Sequence, residues 1–127
     1  MLIQDTSIWR EYLRAAKRAS VGLRMEIMNP MNYTYIGQTN RSLRLAFLAA
    51  FLKDEAVRDA SGGPEKFQGP CAGFTFPKIA VRDFAASLTA VILGFPDNPT
   101  ELWSADQWAE LRSKVQSRLA DEKLPEL

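Results

Sequence analysis

The stretch Leu43–Leu52, LRLAFLAAFL, is the most apolar part of this 127-residue chain and decides how the rest is interpreted. On a helix its apolar side chains point in all directions, and a helix that is apolar all round is a central one. A membrane span needs about 20 apolar residues, whereas this run has ten and includes Arg44. We therefore expect a buried core helix over about residues 41–59 and no membrane contact.

Three further helices are predicted on either side of this core helix, over about residues 7–28, 78–93 and 104–122. Thr6 or Ser7 can cap the first of them, and Asn29-Pro30 stops it because proline disfavours the α conformation in the preceding residue. Gly94-Phe95-Pro96 ends the third helix, and Ser104 with Gln107 matches a capping box at the start of the fourth.

Residues 61–77, SGGPEKFQGPCAGFTFP, form the longest irregular stretch, since their glycines and prolines oppose both helix and regular strand. No run of alternating polar and apolar residues predicts a sheet elsewhere. The length is that of one ordinary domain. The sequence thus predicts an all-α, single-domain bundle of four main helices over residues 1–127, with one long irregular loop at about 61–77.

Two counts limit the chemistry: the chain has no histidine and one cysteine, Cys71. Histidine-based catalytic sites and metal sites, CxxC motifs and intrachain disulfides are therefore absent, and Cys71 is interpreted as a structural residue. Two carboxylates brought together by the fold remain an open alternative, as an acid and base of the glycosidase kind. We predict no catalytic residue, no metal and no cofactor, and expect a protein that is not an enzyme.

The net charge of +1 conceals an uneven distribution. Residues 1–53 hold eight basic and three acidic groups, a net charge of +5, whereas residues 54–127 hold eight basic and twelve acidic groups, a net charge of −4. Such asymmetry indicates either a surface that binds polyanions or complementary surfaces through which copies of the chain associate.

The first predicted helix carries an apolar and a basic stripe on opposite sides. At 100° per residue its apolar members fall within about 140° and its basic members within about 120°. The apolar stripe comprises Ile8, Trp9, Tyr12, Leu13, Ala16, Ala19, Leu23 and Ile27. The basic stripe comprises Arg10, Arg14, Lys17, Arg18 and Arg24.

This basic stripe is the best candidate for a functional surface, because arginine and lysine on one helix face can follow a phosphate backbone. Arg41 and Arg44 begin the next helix, and Tyr33 and Tyr35 lie on the intervening segment, where aromatic rings could stack on unpaired bases. The predicted nucleic-acid-binding residues are Arg10, Arg14, Lys17, Arg18, Arg24, Tyr33, Tyr35, Arg41 and Arg44. The simpler interpretation is a solvated helix face with tyrosines packed at its edge.

Two functional hypotheses follow. In the first, the chain is a non-enzymatic small helical subunit of a larger assembly, binding nucleic-acid backbone by its basic N-terminal face and neighbouring subunits by its acidic part. In the second, it is a protein–protein interaction module, such as an inhibitor, a phage accessory protein or an assembly chaperone, without nucleic-acid contact. Residues 1–10 lack the pattern of a signal peptide, so we expect a cytoplasmic location.

Overall fold

The computed structural model describes residues 6–32, 40–59, 67–68 and 75–127, and this part of the chain is mainly helical, as predicted. The helices are α1 (Thr6–Arg18), α2 (Val21–Met28), a 3₁₀-helix (Asn29–Asn32), α3 (Arg41–Ala49), α4 (Val81–Leu93) and α5 (Ala105–Ala120). The strands are β1 (Val57–Asp59), β2 (Phe67–Gln68), β3 (Thr75–Phe76) and β4 (Lys78–Ala80). The single domain over residues 1–127 stays a prediction.

The core lies around α3 and α4. Every side chain from Leu43 to Leu48 is buried, so the core helix expected from LRLAFLAAFL is confirmed. Helix α4 is buried as thoroughly, from Phe84 to Ala90, and it packs against α2, the 3₁₀-helix, α3 and α5. The buried surface of α4 also includes two polar residues, Ser87 and Thr89. Their hydroxyls donate to helix carbonyls, at 2.8 Å each, which satisfies them inside the core.

The predicted first helix is two helices, α1 and α2, which meet at a break around Ala19 and Ser20. Ser20 has extended backbone angles, φ −60° and ψ 160°, and its hydroxyl accepts a hydrogen bond from the Leu23 N–H at 3.4 Å. It therefore caps α2, a role that competes with continuing α1. The Arg24 guanidinium donates to the Ala19 carbonyl at 2.9 Å and so satisfies an acceptor beside the break.

The predicted second helix ends ten residues early, and the expectation that this region has no strand is wrong. Helix α3 stops at Ala49, and a turn leads to Asp54, whose carboxylate accepts from the Ala56 N–H at 3.1 Å. Strand β1 then pairs antiparallel with β4, with Arg58 opposite Ile79. Residues 78–80 belong to this ladder, which is why α4 begins at Val81 and not at Lys78.

A second antiparallel pair, β2 with β3, lies inside the segment predicted to be irregular, with Phe67 opposite Phe76. Phe76 is buried against Trp108 of α5, their ring centroids 5.9 Å apart, and this contact holds β3 onto the helical core. Strands of two or three residues are too short to show an alternating pattern. Residues 61–66 and 69–74 of the predicted loop, including Cys71, lie outside the described residues.

The ends of the last two helices follow the sequence signals. Gly94 takes the left-handed conformation, φ 79°, after α4, as expected of a glycine that ends a helix. The capping box of α5 is present: the Ser104 hydroxyl accepts from the Gln107 N–H at 3.2 Å, and the Gln107 side chain accepts from the Ser104 N–H at 2.7 Å. Among the described residues, no helix has the length and apolar character that crossing a membrane requires.

Candidate nucleic-acid interface

The rotation of α1 about its axis is fixed by a narrow buried seam of Trp9, Leu13 and Ala16. Trp9 contacts Phe47 of α3 edge to face, with ring centroids 6.0 Å apart. Successive side chains of an α-helix are about 100° apart around its axis. The position of the buried seam therefore determines which residues face solvent. Four cations lie within about 100° of one another on the outward side, and all four are exposed: Arg10, Arg14, Lys17 and Arg18. We call these four residues the α1 basic face.

The members of the α1 basic face differ in their contacts. Arg10 donates to the backbone carbonyl of Glu126 at 3.0 Å, which connects α1 to the C-terminal segment. Arg14 forms an ion pair with Glu11 one turn earlier, and both side chains are more than half exposed. Lys17 and Arg18 have no hydrogen bond or ion pair from their side chains within the part of the chain that the structure describes. Surface pairs such as Arg14–Glu11 are weak and open readily to another anion.

Arg24 does not belong to this face. It lies on α2, beyond the break at Ser20, and its guanidinium pairs with the Asp54 carboxylate at 2.6 Å. The two side chains are only 15% and 22% exposed. The continuous basic stripe predicted from Arg10 to Arg24 is therefore wrong, because it assumed one uninterrupted helix.

Arg41 connects α3 to the segment after α5. Its guanidinium donates to both oxygens of the Glu122 carboxylate, at 3.2 and 3.3 Å, and Arg118 lies 4.0 Å from the same group. These hydrogen bonds lower the pKa of Glu122, although burial acts in the opposite direction. A bidentate pair of this kind uses the guanidinium edge that a phosphate would need.

Arg44 is buried, with 4% of its surface exposed, so the expectation that it lies on a charged surface is wrong. Its guanidinium donates to the Met31 carbonyl at 2.6 Å and so ties α3 to the 3₁₀-helix. Burial lowers the pKa of Arg44, and the neighbouring charge of Arg41 lowers it further. Arg44 lies inside the apolar run Leu43–Leu52, which was itself predicted to be buried, and its assignment to a charged surface rested on its charge alone.

Tyr33 and Tyr35 lie outside the described residues, so their part in the interface stays a prediction. Two apolar residues of α1 that were expected to be buried are instead exposed, Ile8 at 54% and Tyr12 at 44%. The seam is narrower than the predicted stripe, because within the described residues the helices that α1 packs against are mainly α2 and α3. Leu23 of α2 is also exposed, since the break changes the helical phase on which the stripe was drawn.

The acidic part of the chain presents a different surface around the start of α5. Leu102 is 88% exposed, more than any other large apolar side chain among the described residues. Glu101, Asp106 and Glu110 are exposed near it in sequence, and no basic residue falls between Asp97 and Arg112.

Among the described residues, no group of three or more histidine, cysteine, aspartate or glutamate side chains could hold a metal ion. Asp83 of α4 pairs with Arg112 and so connects α4 to α5. Burial raises the pKa of Asp83, and the hydrogen bond from Arg112 opposes that increase. This cross-helix pair was not predicted, because its members are 29 residues apart and no local pattern connects them.

Comparison of the chain with protein-family models, with curated proteins and with solved structures found no match.

Proposed function

We propose that this protein binds the backbone of nucleic acids through the α1 basic face, as a non-enzymatic small subunit of a larger cytoplasmic assembly. One observation carries the proposal: the buried seam of Trp9, Leu13 and Ala16 turns all four cations of α1 toward solvent. The site is smaller than the sequence predicted. Arg24, Arg41 and Arg44 are engaged within the fold and are not part of it.

The number of cations bounds the strength of the interaction. Neutralising phosphates releases counterions, so that log K falls with log salt by about 0.9 per contact on duplex DNA and about 0.7 on single strands. Four contacts give slopes of about −3.6 and −2.8. Binding of this kind is not sequence-specific, and dissociation constants of about 10⁻⁴ to 10⁻⁶ M are typical of it at physiological salt.

Neighbouring subunits are proposed to bind the acidic part, at the surface around Leu102. The support is the exposure of this leucine together with that of Glu101, Asp106 and Glu110. A basic partner surface with an apolar centre would complement it in both charge and polarity. If a second copy of the chain bound this surface through its own α1 basic face, that copy would compete with nucleic acid for the same cations.

Charge reversal on α1 tests the nucleic-acid interface. Fluorescence anisotropy with a labelled single strand and a labelled duplex, at low salt, should show binding by the wild type. The double variant Lys17→Glu, Arg18→Glu should bind at least tenfold more weakly. The matched control Lys53→Glu, Lys78→Glu changes the net charge equally but lies off α1, and its affinity should fall by less than threefold. Equal losses in both variants would leave only a general charge effect and contradict the proposal.

A second candidate function, a protein–protein module without nucleic-acid contact, is favoured by the exposed apolar side chains of Leu102 and Ile8. Pull-down from the source cell with and without nuclease separates the two functions. Loss of the partner after nuclease treatment supports the nucleic-acid interface. A partner that is retained after nuclease and lost in a Leu102→Asp variant supports the protein module.

A further inference from the structure

A groove of about 510 Å³ lies between the end of α3 and the last turns of α5. Both helices pack against α4. Leu52 and Leu119 line the groove and are almost completely buried in the fold. The small part of each side chain that remains exposed forms the apolar floor of the groove. Ala49, Ala50 and Ala120 line the rest of its apolar surface, and their small side chains keep it open.

Two polar side chains from different elements complete the lining, Lys53 after α3 and Gln116 on α5. Both are exposed, and neither has an intramolecular hydrogen bond or ion pair within the described residues. The lining contains no carboxylate. Lysine only donates and carries a positive charge, while the glutamine amide both donates and accepts. The groove therefore combines an apolar floor with one cation and one amide.

From this lining we infer that the groove binds a small amphipathic carboxylate, with its apolar chain on the leucines and alanines and its carboxylate at the Lys53 ammonium. The groove is open to solvent, and its lining is mostly apolar with a few polar groups, which is the composition typical of small-molecule sites. Each methylene that the groove buries contributes at most about fourfold in affinity.

The dimensions of the groove favour a small molecule over a partner helix. Along α5 it extends only from Gln116 to Ala120, a rise of about 6 Å. A helix lying in a groove is held by side chains at positions i, i+3, i+4 and i+7, which span about 10 Å. A flexible alkyl chain does not need that length along one helix, because it can cross the groove from α5 toward the end of α3. The groove contains no residue of the α1 basic face, so this inference goes beyond the proposed function and does not depend on it.

Titration of the ¹⁵N-labelled full chain with octanoate, followed by amide chemical shifts, tests the inference. We expect saturable shifts confined to residues around Ala49, Lys53 and Gln116, and tighter binding of octanoate than of hexanoate. Octanol, which lacks the charge, and acetate, which lacks the chain, should each bind at least tenfold more weakly. Shifts that do not saturate, that spread over the whole chain, or that octanol reproduces at equal affinity would overturn the proposal.

Two variants assign the interaction to the groove. Lys53→Met should weaken octanoate at least fivefold and leave octanol unchanged, whereas the control Lys123→Met should change neither. Ala50→Leu fills the groove without altering charge and should abolish binding of octanoate. The wild-type pattern of the remaining amide resonances checks that each variant is folded. Unchanged octanoate affinity in both Lys53→Met and Ala50→Leu would contradict the assignment.

Discussion

The Arg24 guanidinium on α2 lies 2.6 Å from the Asp54 carboxylate in the turn that precedes β1. The same Arg24 donates to the Ala19 carbonyl at the break between α1 and α2, and the same Asp54 accepts from the Ala56 N–H. This pair therefore connects the two places where the structure departs from the predicted helices: the break between α1 and α2, and the turn that follows α3. Arg24 was predicted to belong to the nucleic-acid-binding stripe, but in the structure it stabilises the fold.

Removing Asp54 should destabilise the protein markedly. Asp54→Ala leaves the Arg24 charge in a largely enclosed position and removes the acceptor of the Ala56 N–H. Breaking one side of a buried pair costs about 3–5 kcal/mol, and partial exposure reduces our expectation to about 2–3 kcal/mol in the free energy of unfolding. Urea denaturation measures this change.

The matched control for Asp54→Ala is Glu11→Ala, which breaks the exposed pair with Arg14. Its effect should stay below about 0.5 kcal/mol. Equal decreases in the free energy of unfolding for the two variants would show that the Arg24–Asp54 pair stabilises the fold no more than an exposed ion pair does.

The break at Ser20 can be tested by removing its cap. Ser20→Ala loses the hydroxyl that accepts from the Leu23 N–H, and the loss of a cap costs about 1 kcal/mol. Thermal or urea unfolding should show this decrease. Ser42→Ala, an exposed serine inside α3, should be neutral or slightly stabilising because alanine is the better helix former. A Ser20→Ala variant as stable as the wild type would contradict the capping role.

Acid should weaken the contact between α3 and the segment after α5. The pKa of Glu122 is lowered by Arg41, so the unfolded chain binds its proton more readily than the folded one. The contribution is fully present above about pH 4.3, the ordinary value for glutamate, and is lost as the pH falls through the lower folded pKa. Urea unfolding of wild type and Arg41→Gln should therefore differ most near pH 7, and the difference should shrink as the pH falls below about 4.3.

Glu122→Gln should remove the same pH dependence as Arg41→Gln. The pKa of Asp83 is raised by burial, so its contribution to stability changes with pH in the opposite direction. Asp83 is present in both wild type and Arg41→Gln, so its contribution cancels from the difference between them. A stability difference between wild type and Arg41→Gln that stays constant from pH 7 down to the onset of acid unfolding would contradict the assignment to Glu122.

Arg44 should matter for stability and not for nucleic acid. Arg44→Met removes the donor to the Met31 carbonyl, and leaving a buried carbonyl unsatisfied costs about 1–3 kcal/mol. Because Arg44 is buried, the folded variant should bind a labelled single strand with an affinity within twofold of the wild type. A tenfold loss of affinity for the labelled strand, in a variant whose circular dichroism spectrum is unchanged, would contradict this prediction and show that Arg44 takes part in binding.

The sequence predicts the parts of this fold that local patterns control. The apolar run from Leu43 marks the core, Gly94 marks the end of α4, and Ser104 with Gln107 marks the start of α5. The rest depends on contacts between distant residues. Nothing near Asp54 in sequence shows that Arg24 will reach it, and three-residue strands such as β1 form only because β4 lies beside them.

The same limit explains why the predicted interface was too large. Charge counts treat every arginine alike, although Arg41 pairs with Glu122 and Arg44 is enclosed by the core. The four cations of α1 are exposed on one side of the helix, as their helical spacing suggested, although the buried seam around Leu13 is narrower than the predicted apolar stripe. Their role in binding stays a prediction.

The dependence of binding on salt tests the central proposal most directly. The slope of log K against log salt counts the phosphates that the protein neutralises. For a labelled single strand we predict a slope of about −2 to −3 for the wild type and a slope near −1 for the variant Arg14→Gln, Lys17→Gln, Arg18→Gln. Absence of binding at low salt, or equal slopes for the two proteins, would contradict the α1 basic face as a nucleic-acid interface.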